Sequence, residues 1–216
     1  MKIKWFGHSC FLFTSASGVK VLTDPFDSHV GYELPSVEAD IVTTSHNHSD
    51  HNHMQDVKGK FIHIAGSGSF QANGIELTGI ATFHDNVKGA KRGENTIFVF
   101  DIDGIRICHC GDLGHMLSHE QVEAIGRVDI LLVPVGSIYT IDAVGAKEIV
   151  RLLRPSVTIP MHFKTHVLKF PLEGVERFLD ITGGEMVEQQ EIEITADNLV
   201  SFPKVLVLEY QEGTKG

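Results

Sequence analysis

Asp40-Ile41-Val42-Thr43-Thr44-Ser45-His46-Asn47-His48-Ser49-Asp50-His51 carries a β-branched, apolar run directly into four metal-ligand side chains within six positions. Its first five residues read as a strand, and His46, His48, Asp50 and His51 begin where that strand ends. Successive side chains alternate in extended backbone, so His46 and His48 point the same way. A turn after Ser49 would aim Asp50 and His51 at a second point nearby. That spacing suits two metal ions about 3.5–4 Å apart. Imidazole combined with carboxylate favours zinc, with manganese or iron as the other candidates, over a structural thiolate site. The plainer reading is a His-rich loop that binds metal loosely, and such a loop has no reason to be matched by distant ligands.

Distant ligands are present. His84 ends the apolar run Gly79–Phe83, Asp112 follows Ile105–Cys110 through Gly111, and His162 follows Val157-Thr158-Ile159-Pro160-Met161. Each is an ordinary turn or cap residue if taken alone. Together, three ligand-type residues at C-terminal strand ends mark the edge where layered α/β folds assemble their sites.

Working outward, the first half reads as short strands. Lys2–Phe6 and Cys10–Thr14 flank the turn Gly7-His8-Ser9, and Val19–Thr23 ends at Asp24-Pro25, where proline stops the ladder. Phe61–Ala65, Ile75–Leu77, Gly79–Phe83 and Thr96–Phe100 continue the series, and Asp103-Gly104 signals a hairpin into Ile105–Cys110. In the second half Ser118-x-x-Gln121 opens a helix over Ser118–Ile125 with a capping box. Asp129–Val133 reads as a buried strand, Ala143–Leu153 as an amphipathic helix stopped before Pro155, Val157–Pro160 as a strand, Leu172–Leu179 as a helix and Val205–Leu208 as a last strand. Strands followed by alternating strand and helix imply stacked α and β layers in one domain, residues 1–216.

Composition agrees. The chain has 216 residues, 42% hydrophobic and 21% charged, which suits a globular protein with a substantial core. No apolar run is long enough to cross a membrane. Met1-Lys2-Ile3-Lys4-Trp5 turns polar too early for a signal peptide, and Cys10, Cys108 and Cys110 form no disulfide framework, so cytoplasm is the expected location. The net charge of −10 argues against nucleic acid as partner, because phosphate backbones are normally met by a basic face. Metal ions would still let an acidic protein bind phosphate groups. A homo-oligomer stays open.

These motifs together resemble the metallo-β-lactamase superfamily along nearly the whole chain. Gly7-His8-Ser9-Cys10-Phe11, Leu22-Thr23-Asp24-Pro25, Pro134-Val135-Gly136-x-x-Tyr139-Thr140-Ile141-Asp142 and Ile159-Pro160-Met161-His162 look like its branch of small hydrolases similar to ascorbate-6-phosphate lactonase. The resemblance implies a four-layer αβ/βα sandwich with two divalent metal ions at the edge between its sheets. It implies His46, His48 and His84 on one metal, Asp50, His51 and His162 on the other, and Asp112 bridging. Where the branch more often has Thr after the Gly-Asp pair, this chain has Leu113, which removes a hydroxyl that would steady Asp112.

The resemblance also places His8 near the site, where it would donate a proton or touch substrate, although a lone turn histidine is as readily structural. Asp24 is expected to orient a ligand imidazole by accepting its second N–H. His109 is expected behind the ligands, Cys108 and Cys110 in packing, and His53, His63, His115, His119 and His166 in surface or structural roles. The loop Gly136–Asp142 should line the substrate pocket, with Tyr139 offering an aromatic face and a hydroxyl; Asp142 is as well explained by a helix cap.

The chemistry implied is hydrolysis: two metals lower the pKa of a bridging water toward neutrality, and the hydroxide attacks a small ester, lactone or phosphoester substrate. Asp50, Asp112, His8 and Tyr139 are the side chains expected to serve the reaction. Two alternatives share the ligands. A non-hydrolytic di-iron redox module usually has a carboxylate where His84 stands and an attached flavin domain. A nucleic-acid phosphodiesterase usually adds an RNA-binding arm, for which 216 residues leave no space.

Overall fold

The computed structural model describes residues 1–211, and its first strands follow the apolar alternation of the N-terminal sequence. β1 (Lys2–Gly7) and β2 (Cys10–Thr14) form an antiparallel hairpin that β3 (Lys20–Thr23) extends, and β4 (Ile41–Thr44) and β5 (Ile62–Ala65) add parallel strands. Ile3, Trp5, Phe11 and Phe13 are buried, whereas Lys2 is exposed and Lys4, Leu12 and Thr14 are half-buried. This is the period-two pattern of a sheet with one face on the core.

β6 (Gly68–Ala72), β7 (Ile75–Phe83), β8 (Glu94–Ile102) and β9 (Ile105–His109) form an antiparallel meander. Its two tight turns, Asn73-Gly74 and Asp103-Gly104, hold both central residues at positive φ: 48° and 81°, 53° and 75°. That backbone twist matches a two-residue hairpin. Reading only the second turn from sequence misses β6 and divides β7 into two runs.

The chain continues through α1 (His119–Ile125), β10 (Ile130–Pro134), α2 (Ala143–Leu153), β11 (Val157–Met161), α3 (Glu176–Thr182), β12 (Glu185–Met186), β13 (Glu191–Glu193) and β14 (Leu206–Val207). The expected capping box is formed: the Gln121 N–H donates to Ser118 Oγ at 3.2 Å, and the Ser118 N–H donates to Gln121 Oε1 at 2.9 Å. The helix expected over Leu172–Leu179 starts only at Glu176 and runs to Thr182. The Glu173 N–H donates instead to Gly136 O at 2.8 Å, so this stretch is held by the loop after β10 rather than by its own turn.

Two six-stranded sheets result, ordered β13-β1-β2-β3-β4-β5 and β11-β10-β9-β8-β7-β6. They face each other over one buried cluster, in which Phe13 meets Phe100 edge-on with ring centroids 5.5 Å apart. With its two mixed sheets and few helices, this is the expected αβ/βα sandwich; α1 lies against β7 and α2 against β10. Each sheet is antiparallel at one side and parallel at the other, through β3-β4-β5 and β9-β10-β11. Pro160 is accommodated because β11 is the end strand of its sheet. No helix among the described residues is long and apolar enough to cross a membrane.

The loops after β10 and β11 touch at Gly136. A Cβ there would land on His162 O and lie 3.0 Å from Phe163 Cα, both backbone atoms that no rotamer change can move. Gly136→Ala should therefore destabilise the fold by about 1–3 kcal/mol, as overpacking does. Urea unfolding checks this, and an unchanged midpoint would show that the two loops do not depend on that close approach.

Candidate metal centre

All the expected ligands converge at strand ends. His46, His48, Asp50 and His51 follow β4, in a turn closed by the His51 N–H donating to His48 O at 2.9 Å. His84 directly follows β7, Asp112 stands three residues past β9, and His162 directly follows β11. At the centre lies one carboxylate oxygen: Asp112 Oδ2 is 3.1 Å from His84 Nε2, 3.1 Å from His162 Nε2, 3.3 Å from His51 Nε2 and 3.9 Å from His46 Nε2. Ligand atoms within 4.8 Å of one another fall into three groups: His46 with His48 and His84; Asp50 with His51, His162 and also His8; and Asp112 with His46 and His51. Asp112 thus joins a histidine from each of the other two groups.

The backbone is strained to bring these groups together. His8, Asp24 and His162 all adopt left-handed φ, at 52°, 41° and 52°, a conformation that costs a non-glycine residue about 1 kcal/mol or more and persists only where neighbours enforce it. Gly111, at φ 53°, admits the close approach of Ser45, whose Cβ would lie 2.6 Å from an added methyl.

Behind the ligands lies a hydrogen-bonded frame. Asp24 accepts from the Ser45 N–H at 2.7 Å, from Ser45 Oγ at 2.6 Å and from His51 Nδ1 at 3.0 Å. Because Ser45 Oγ donates to Asp24, it accepts from His46 Nδ1 at 2.9 Å. Both imidazoles therefore turn Nε2 toward Asp112, the ordinary way an outer carboxylate fixes a ligand tautomer. Asn95 Oδ1 accepts from the Asp112 N–H at 2.9 Å, while its Nδ2 donates to Thr82 Oγ1 and Cys110 O. Asn95 thus fixes the Asp112 backbone rather than its carboxylate, whose Oδ1 has no hydrogen-bond partner. Buried His109 bonds Ser9 O through Nε2 and accepts from the Gly111 N–H, tying the two sheets together behind the site.

Sequence reading found Asp24 but missed Ser45 and Asn95. Ser45 abuts the ligand motif without looking like part of it. Asn95 had one signal, a polar amide at the head of the apolar run of β8.

Burial and the neighbouring charges together set the protonation of these groups. Burial, followed by neighbouring His51, lowers His46 to about 3. Burial, followed by His162, lowers His8 to about 4, so both are neutral at pH 7. Burial opposes ionisation of Asp112, but His162 and His51 outweigh it and hold the carboxyl well below its usual range. Asp50 is held down in the same manner, with burial overcome by His8 and His51. Burial also opposes charge on His51, yet Asp112, Asp24 and Asp50 raise it well above an ordinary imidazole. His51 and His46 diverge because His51 faces three carboxylates within 3.6 Å, while His46 has one at 3.9 Å.

This donor set fits metal ions. Nε2 of His46 and of His51, and Oδ1 of Asp112, are buried with no hydrogen-bond partner. An unpartnered buried polar atom costs about 1–3 kcal/mol. A metal ion is a partner that imidazoles, once deprotonated, and carboxylates accept together.

Above the ligands opens a cavity of about 260 Å³ lined by His48, Asp50, His84, Asp112, Tyr139 and His162, with Arg92 and Phe170. Tyr139 therefore reaches the site from the loop after β10, its ring 6.4 Å from that of Phe170. Asp142 caps α2, accepting from the Gly145 N–H at 2.8 Å, which accounts for its place. His8 is fully buried and absent from this lining; its Nε2 lies 3.3 Å from Asp50 Oδ2, and its ring packs 4.2 Å from that of His162. Four further histidines have partners away from the site: His115 accepts from the Phe83 N–H, His63 bonds Thr44, His53 pairs with Asp56 and exposed His119 with Glu123.

The chain's relatives share this architecture. The family model described as beta-lactamase superfamily domain matches residues 2–162. The UPF0173 metal-dependent hydrolase Ta0764 of Thermoplasma acidophilum is 35% identical over 192 residues, covering 76% of this chain and 84% of that protein. A crystal structure of a candidate Zn-dependent hydrolase of the metallo-β-lactamase superfamily from Thermotoga maritima is 44% identical, with a TM-score of 0.83 over 97% of this chain and 99% of that one. An isothiocyanate hydrolase from Delia radicum gut bacteria shares the fold alone, with a TM-score of 0.71 at 14% identity over 98% of each chain. The chain belongs to the metallo-β-lactamase superfamily and, within it, to the UPF0173 metal-dependent hydrolases.

Proposed function

We propose that this metal-dependent hydrolase is dinuclear and cleaves a small ester, lactone or phosphoester. The observation that carries the reading is the position of Asp112 Oδ2, within 3.9 Å of imidazoles that belong to two separate ligand groups. His46, His48 and His84 would hold one divalent ion, Asp50, His51 and His162 the other, with Asp112 between them. Zinc is the first candidate, supported by the description of the T. maritima relative, with manganese or iron next. When bound, such a pair supplies a water acidic enough to ionise near neutral pH and neutralises charge developing on the substrate.

The chain's own residues set where this happens. Asp112 would offset the repulsion between two dications, and His8, 3.3 Å from Asp50 and absent from the cavity lining, would position Asp50 rather than touch substrate. Tyr139 and Phe170 wall the cavity. A cavity of about 260 Å³ suits a small molecule rather than a polymer. The three cysteines are free and buried, which fits the reducing cytoplasm.

Metal-reconstituted protein should contain close to two equivalents by elemental analysis, and His162→Ala close to one. A content that never exceeds one in the wild type would overturn the dinuclear reading. A panel of lactones, esters, thioesters and phosphodiesters, run with zinc-, manganese- and iron-loaded protein, then identifies the bond cleaved.

Asp112→Ala should lose metal affinity and activity together. Asp24→Ala should weaken metal binding about 10–100-fold, the usual contribution of an outer partner. Equal damage from the two, measured by chelator competition, would contradict this division of roles.

Tyr139→Phe and Tyr139→Ala should lower turnover of whichever panel substrate is cleaved while leaving metal content at the wild-type level. Unchanged kinetics in both would remove Tyr139 from the reaction.

A further inference from the structure

Buried Asp85 gives its whole carboxylate to the backbone of its own loop. Oδ1 accepts from the Val87 N–H at 2.9 Å and the Gly89 N–H at 2.8 Å, and Oδ2 accepts from the N–H groups of Lys91 and Arg92, both at 2.8 Å. Burial alone would raise this carboxyl, yet the bonds from Arg92, Lys91, Val87 and Gly89 hold it below its ordinary range. Residues 85–92 thus form a ring closed on one anion, and that ring needs nothing from the Arg92 side chain.

The guanidinium is left to reach elsewhere. Arg92 Nη2 donates to Ile138 O at 3.1 Å, and Cζ lies 5.2 Å over the Tyr139 ring, a cation–π contact that holds the fork beside a cavity-lining residue. Arg92 forms no ion pair among the described residues, although the chain carries 28 acidic side chains. It lines the 260 Å³ cavity above the ligands and also an adjoining cavity of about 600 Å³, which shares His48 with it. In both linings Arg92 is the only lysine or arginine.

We propose that Arg92 recognises an anionic group of the substrate, a carboxylate or phosphate separate from the bond that is cleaved. A planar guanidinium fork matches the oxygens of either group with two parallel hydrogen bonds. Ile138 O occupies one of its five donors, and no acid among the described residues, Glu94 of the larger cavity included, forms an ion pair with it. The substrate class narrows from any small ester, lactone or phosphoester to those bearing a second, charged end. This inference rests on the dinuclear reading, since the metal ions would take the other end of the molecule.

Isothermal titration of the metal-reconstituted protein with glutarate, 3-phosphonopropionate and butyrate tests it. The three probes share a metal-binding carboxylate and differ in the second charge. Wild type should bind at least one of the doubly charged probes about tenfold or more tightly than butyrate, the scale of a charge-assisted hydrogen bond. Whichever is bound more tightly distinguishes carboxylate from phosphate. Arg92→Met should abolish that preference while leaving butyrate affinity and metal content unchanged, and Arg92→Lys should keep part of it. Equal binding of all three probes by wild type, or an equal loss for all three in Arg92→Met, overturns the proposal; the second result would make Arg92 only a clamp between loops. Metal content separates the two readings. A chain that takes up no metal overturns both, whereas two metal ions without a charge preference overturn only the role of Arg92.

Discussion

Asp112 is the group on which the rest of this structure depends. Its carboxylate is buried, ionised and ringed by four imidazole nitrogens, with Oδ1 lacking any partner. A charge in that position is tolerable only with compensation from cations or protons. The neighbours are arranged accordingly: Asn95 fixes the Asp112 backbone, Gly111 allows the tight turn before it, and Asp24 and Ser45 aim His51 and His46 at it. Left-handed backbone at His8, Asp24 and His162 is strain that the surrounding sheets hold in place.

Much of this was legible in the sequence because it is local. A strand that ends in alternating histidines announces both its own direction and the direction of its ligands. The strand-end positions of His84, Asp112 and His162 follow from apolar runs interrupted by one polar residue. The capping box at Ser118 and the turn at Asp103-Gly104 are equally short-range, and both formed as read. Asp24 was legible for the same reason, since a carboxylate before a strand-ending proline has few uses except toward a neighbouring loop.

What escaped was set by contacts between distant segments. Residues 172–175 carry one weak signal against helix, Gly174, and Glu173 bonds the loop at Gly136, so the helix starts late. His8 stands in a turn beside the site, and its sequence position alone leaves a substrate contact and a structural role equally open. Its ring packs against His162, His51 and Phe170, it bonds Asp50, and it is absent from the cavity lining, all contacts between distant segments. Ser45 and Asn95 are ordinary polar residues by composition, and their importance comes entirely from what they bond. β6 is a different case, because Asn73-Gly74 is as clear a hairpin signal as Asp103-Gly104.

The two halves of each sheet divide the work. Antiparallel meanders form from neighbouring sequence and close over the aromatic core through Phe13 and Phe100, so they need no ligand to hold their shape. The parallel strands β3-β4 and β9-β10-β11 point the same way within their sheets and deliver Asp24, the His46–His51 loop, Asp112, the Tyr139 loop and His162 to a common edge. That edge gathers carboxylates and imidazoles, several of whose buried atoms lack partners, so its stability is tied to what it binds. Rigidity in the core and frustration at the rim have one origin: a sandwich stable enough to keep strained, unpartnered side chains waiting for a cation.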